Sequence, residues 1–244
     1  MVARFANLLY KDRVDINDKI HIVIPTVGDV IETIGTDSDY YDIVHTLTAM
    51  PIDMMLPLSD AGYDYEKMTD YDLFCLIFGG LRLRDTHLIF GDLDLTLFEP
   101  AINEKNGMPV FVDRKHDIVI DRGVQGLIAD ALRKIHGLKK NIKKPANEEA
   151  KKFLLDRARK KARRRKRMGP EDSQLESLIT AMVNTPEFKY DYMSVKNMTV
   201  YQFNESVHQI ISKVEYDNRM IGVYTGNVSV KYLKEDELNW LVHK

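Results

Sequence analysis

Cysteine is almost absent from this chain: Cys75 is the only one in 244 residues. That excludes a disulfide framework within one chain and suits a reducing interior. Cys75 lies in the apolar run Leu73-Phe74-Cys75-Leu76-Ile77-Phe78, where a buried structural thiol is expected rather than a nucleophile. Long apolar runs are missing too. No segment approaches the roughly 18 uninterrupted apolar residues of a membrane span, and the start of the chain, Met1 to Phe5, has no apolar signal stretch. A soluble protein with no membrane partner is expected. The seven histidines include no pair at i and i+4 and there is no Cys-x-x-Cys, so dedicated zinc ligation is not expected. Neither a Gly-x-Ser-x-Gly elbow nor a phosphate-cradling glycine loop occurs, and no cofactor is implied.

What the chain does have is charge, sorted along its length. Residues 133 to 168 hold 17 Lys and Arg against 3 acids, while the formal net charge of the whole chain is only -2. Both flanks are therefore acidic, by -12 over residues 1 to 132 and by -4 over residues 169 to 244. Segregation of this kind bears on partners and solubility, not on fold. With 44% hydrophobic residues the chain can bury a substantial core, which excludes a disordered protein.

The pattern predicts an α+β fold: an N-terminal mixed domain over residues 1–137 with a small antiparallel sheet, a basic helical linker over 138–169, and a small, mostly helical module over 170–244. Residues 19 to 24 read as a strand stopped by Pro25, with a helix opening at Thr26. Asp37-Ser38-Asp39 offer N-cap chemistry ahead of a helix through Leu47. Asp70 is expected to cap a core helix over 71–79. Residues 86 to 98 look extended, and 108–112 and 117–120 look like two further strands. Asn106-Gly107 between apolar runs signals a hairpin, because both residues tolerate positive φ. Asp121 opens a helix that ends at His136-Gly137.

Pro145 and Asn147 restart a helix reaching about Arg167, which Gly169-Pro170 stops. Glu148 and Glu149 in its first turn and the cations of its last suit the helix dipole. Ser173-Gln174-Leu175-Glu176 is a capping-box pattern, and Thr199 is expected to cap a helix carrying Val200, Phe203, Val207, Ile210, Ile211 and Val214. Residues 219 to 225 continue that helix or form a strand, and Glu235 to Leu241 form a last helical turn or two.

Three segments invite a chemical reading. Leu88 to Glu99 contains Asp92-Leu93-Asp94-Leu95-Thr96, which resembles the first motif of haloacid-dehalogenase-type phosphohydrolases: Asp92 as nucleophile, Asp94 as acid/base, magnesium as neutraliser. Leu95 replaces that family's usual glycine, and the βαβ alternation of a doubly wound sheet is missing. A surface strand with period-two alternation explains the same letters. Met50 to Leu56 holds three methionines, suited to an adaptable groove and equally to core filling.

The third is the basic helix. Its candidate partner-binding residues are Phe153, Leu154, Arg157, Lys160, Lys161, Arg163, Arg164, Arg165, Lys166 and Arg167. Such density suits an acidic protein surface, including the chain's own acidic domain or that of a neighbouring copy, or a nucleic-acid backbone. The same letters also fit a solvated linker. No aromatic residue is interleaved in 154–167, so base stacking is not offered there.

Taken together, Ile22 to Val30, Tyr40-Tyr41, Met54-Met55, Leu88 to Asp92 and Leu238-Asn239-Trp240-Leu241 resemble a group of phage and prophage proteins of Gram-positive bacteria from tail-morphogenesis genes. The resemblance covers most of the chain and rests on no catalytic signature. It implies a non-enzymatic tail assembly chaperone or minor virion component, with phage tail proteins such as the tape-measure protein as partners, in the host cytoplasm or the virion.

Overall fold

The computed structural model describes residues 7–33, 37–168 and 173–241, and the architecture is α+β with two small antiparallel sheets. The first sheet pairs β1 (Arg13–Asp15) with β2 (His21–Val23), bringing Val14 opposite Ile22. Helices α1 (Val27–Thr33), α2 (Asp37–Thr48), α3 (Met55–Asp60), α4 (Asp70–Arg82) and α5 (His87–Phe90) follow. The second sheet has the order β3 (Glu99–Ile102), β4 (Pro109–Asp113), β5 (Ile118–Ile120). After it come α6 (Arg122–His136), α7 (Glu148–Met168), α8 (Gln174–Val183), α9 (Tyr192–Lys196) and α10 (Val200–Tyr224).

Local chemistry sets the helix starts. Thr26 and Asp29 reciprocally cap α1: each side chain accepts from the other's backbone N–H, at 3.0 and 2.9 Å. Thr69 and Asp72 do the same for α4, so the cap is Thr69 rather than the expected Asp70. Threonine carries its oxygen on Cβ, at the right reach for an N3 amide. Asp121 accepts from Val124 N–H at the start of α6, and Gly137 ends that helix at φ 64, which a Cβ disfavours. Thr199 and Gln202 cap α10. The side chains of Asp37 and Ser38, the start of the chain and the Gly169-Pro170 break lie outside the described residues.

One expectation is corrected and one strand is new. Residues 86 to 98 are not extended: α5 and a 3-10 turn over Leu95–Leu97 occupy them. The side chains of Asp85 and Asp94 accept from the backbone N–H of His87 and Thr96, which turns the chain before a ladder can form. The new strand is Glu99–Ile102, an edge strand that contains Pro100 and that no reading of the sequence assigned. Its edge position tolerates a residue that cannot donate. Of the two readings of residues 219 to 225, the helix holds through Tyr224.

One apolar cluster threads both ends of the chain, taking in Ile22, Tyr40, Phe78, Phe98, Ile120, Leu132, Leu175, Val195 and Phe203. Backbone bonds reinforce it: Val27 N–H donates to Met198 O and Val200 N–H to Pro25 O, both at 2.8 Å. A Cβ on Gly28 would meet the Lys196 carbonyl at 3.0 Å, so glycine lets α1 close on α9. A second, smaller cluster of Leu58, Tyr65 and Leu73 takes up Met54 and Met55, so these methionines fill a core. Cys75 packs against the main cluster, and burial pushes its thiol up. Among the described residues no helix is long and apolar enough to cross a membrane.

Candidate docking surface

The basic run is divided between two duties. Its early members are used within the chain. Arg133 is buried, donating to Thr48 O at 2.6 Å and to Asp130 at 3.0 Å. Lys140 meets Asp70 at 2.8 Å, and Asn141 donates to Asp53 at 2.7 Å, which lays the connector before α7 along the body.

Helix α7 begins where the Asn147 side chain accepts from Ala150 N–H. Lys151 then contacts Glu66 at 2.6 Å and Asp64 at 3.2 Å, with its ammonium 5.1 Å from the centre of the Tyr65 ring. Those hydrogen bonds hold the Lys151 ammonium above the usual lysine range and the Asp64 carboxyl below the usual carboxylate range. Two turns later, Arg159 reaches Asp60 at 3.0 Å. At 1.5 Å rise per residue the two clamps are about 12 Å apart. Between them Leu154, Leu155 and Ala158 are half-buried on the same face, against α3. The helix thus grips carboxylates of its own body along one side.

The opposite side is open. Phe153, Arg157, Lys160, Arg164 and Arg167 recur at four- and three-residue spacing and form one exposed ridge, with Phe153 66% exposed. The ridge spans about 21 Å. Lys161 and Arg163 are exposed on its flanks; Arg165 and Lys166 are exposed too, on the other side of the helix, and Arg165 already has an interaction partner. Of the ten residues read from the sequence, only Leu154 is half-buried; Arg165 and Lys166 share its side of the helix but are exposed beyond the clamps. Sequence reasoning passed over Lys151 and Arg159, the two inward cations. Their phase relative to Leu154, Leu155, Ala158 and Ala162 was the available signal: cations on the apolar side of a helix are those that meet its own body.

The Asp92 to Thr96 segment lines a depression of about 290 Å³ with Arg82, Arg84, Asp85 and His87. Some of its polar groups bond one another, while Arg82 Nε is buried without a hydrogen-bond partner. Asp94 accepts from the Thr96 N–H and hydroxyl at 2.8 and 2.6 Å, which holds its carboxyl low, and Arg82 donates to Thr96 O at 2.8 Å. Both aspartates stand in a turn, not at the end of a strand. No group of three His, Cys, Asp or Glu among the described residues is arranged to hold a metal ion.

Comparison with known proteins finds no matching curated protein and no matching solved structure. Residues 164–243 match the family described as the YomV second domain, and YomV is a Bacillus prophage protein. The similarity covers about a third of the chain: the end of α7, α8, α9, α10 and the closing turns.

Proposed function

We propose that this chain is a phage protein of tail morphogenesis that acts without catalysis, as a tail assembly chaperone or a minor tail or baseplate component, and that the outward ridge of α7 is its partner-binding surface. One observation carries the reading. The inward side of α7 is held by Asp60, Asp64 and Glu66, while the ridge cations Arg157, Lys160, Arg164 and Arg167 are exposed and form no ion pair among the described residues. A helix already gripping carboxylates on one side offers the same chemistry on the other, which favours an acidic protein surface. The similarity of the C-terminal third to a prophage domain supports the setting. The site of action is then the host cytoplasm or the assembled particle.

Co-expression with a tape-measure protein tests this. A soluble complex is expected, and replacing Arg163, Arg164, Arg165, Lys166 and Arg167 with Glu is expected to weaken it by roughly a hundredfold or more in titration calorimetry. A complex of unchanged affinity would remove α7 from the interface. A nucleic-acid backbone is the competing partner for the same ridge. Steep, logarithmic loss of duplex DNA binding with rising salt would favour it, since neutralising phosphates releases counterions.

A further inference from the structure

The outward ridge of α7 has a spacing as well as a sign. Phe153, Arg157, Lys160, Arg164 and Arg167 advance by four, three, four and three residues, the period of about 3.5 with which one helix follows another. At about 100° per residue they fall within roughly 80° of one another, so the row is straight. Glu149, one turn before Phe153, continues it and is exposed. Along the axis the ridge therefore reads acid, apolar, then four cations.

The inward side of the same helix shows what such cations accept. There α7 packs on α3, with Arg159 meeting Asp60 at 3.0 Å and Lys151 meeting Asp64 at 3.2 Å. Asp60 ends α3 and Asp64 lies four residues on, just past it. The later acid pairs with the earlier cation. The segment that carries these carboxylates thus runs antiparallel to α7.

Resting on the reading that the ridge is the docking surface, we infer that its occupant is a single acidic α-helix, antiparallel to α7. Its carboxylates repeat at steps of three and four residues over about 15 Å, with an apolar side chain beyond them against Phe153. The antiparallel direction also sets the two helix dipoles in opposition.

Spacing selects a helix over the other acidic shapes. The steps between ridge cations are about 4.5 and 6 Å along the axis. An extended strand presents same-side residues about 6.7 Å apart, so it is out of step by roughly 5 Å at the fourth contact. A nucleic-acid backbone accepts the cations but offers phosphate and sugar, not an apolar group, to Phe153, which is 66% exposed. The order acid, apolar, cation is asymmetric, so it fixes register and direction as well as attraction.

Fluorescence anisotropy of two labelled synthetic helices, titrated with the full chain, reads the result. The first carries four Glu at steps of three, four and three residues, then a Leu to face Phe153 and a Lys to face Glu149. The second is an isomer of equal composition, matched in helicity by circular dichroism, with its four Glu spread round the helix. The patterned helix is expected to bind about tenfold tighter, because exposed ion pairs are modest singly and add when four are aligned. The double variant Arg157→Glu, Arg164→Glu is expected to abolish the preference; both side chains are exposed, so the fold should be unchanged. Phe153→Ala is expected to lose about threefold, and to lose it equally at high salt, as an apolar contact does.

Equal affinity for the two peptides, binding of neither, or a preference that survives the double variant overturns the inference. So does tighter binding of duplex DNA than of the patterned helix at the same salt. A tape-measure complex that weakens on charge reversal of α7, beside equal affinity for the two peptides, would keep the ridge as docking surface and remove only the helical occupant, so the two readings fail separately.

Discussion

Lowering the pH from about 7 to 4 is expected to cost this protein about 3 kcal/mol of unfolding free energy, through one side chain, His136. His136 ends α6 beneath Tyr40 and Tyr41, with the Tyr40 hydroxyl 3.1 Å from Nε2. Burial holds the Tyr40 phenol well above its ordinary range, so the phenol donates and Nε2 accepts. The proton of the neutral ring then sits on Nδ1, which is enclosed and has no hydrogen-bond partner. Burial first, and the nearby His45 second, bring the His136 pKa down to about 4.

The unfolded chain therefore takes up this proton near pH 6.5 and the folded chain only near pH 4. Stability is complete above the first value and is lost as pH falls toward the second. Carboxyls held low in the fold, such as Asp113 beside His116 and Asp117 beside Lys19, release their contributions below about their ordinary 3.8, so the two windows separate. Urea denaturation at stepped pH reads the slope. His136→Gln, whose amide oxygen can still accept from Tyr40 but cannot take up a proton, is expected to flatten the curve between pH 6.5 and 4. A variant that keeps the wild-type slope would assign the effect elsewhere.

The second large effect is expected from Phe78→Ala, at about 3–5 kcal/mol of lost stability. Phe78 stacks on Phe111 with ring centres 3.8 Å apart and meets Phe74 and Phe98 at tilted or edge-on angles. Phe74 and Phe78 come from α4, Phe111 from β4, and Phe98 from the residue before β3, so the rings bind the helix to the second sheet. Alanine would leave a cavity that rings held by three elements cannot collapse to fill. In a chain of this size the melting temperature should fall by roughly 10 °C by calorimetry. A fall of only two or three degrees would mean that this cluster closes around the loss.

Local signals in the sequence resolved much of this fold. Asp121 and Gly137 bracket α6 because one side chain suits an N-cap and the absence of another suits a left-handed C-cap. Gly107, in the turn between β3 and β4, takes φ 67 as the Asn-Gly pair foretold. The basic helix was legible from composition and dipole placement alone.

Where reading failed, tertiary or side-chain bonds outweighed the pattern. The alternation Asp92-Leu93-Asp94-Leu95 has a strand's period, yet Gly91 at φ 58 and the Asp94 cap bend it into a turn. Pro100 hid an edge strand whose pairing is decided by β4. The charges of α7 could be counted from the sequence, but their division could not, because Asp60, Asp64 and Glu66 come from a part of the chain some 85 to 100 residues earlier. The same limit applies to α10, where a single apolar periodicity runs from Val200 to Ile221 and only the body's edge decides which half is buried.

The division of α7 into an inward clamp and an outward docking ridge is the central claim, and zero-length coupling of amines to carboxylates tests it directly. A complex with the tape-measure protein, coupled and read by mass spectrometry, is predicted to link Lys160 and Lys161 to carboxylates of the partner, while Lys151 links only to carboxylates of its own chain, Asp64, Glu66 and Glu148. Links that join Lys151 to the partner, or a complex in which Lys160 and Lys161 link nothing, would contradict the account.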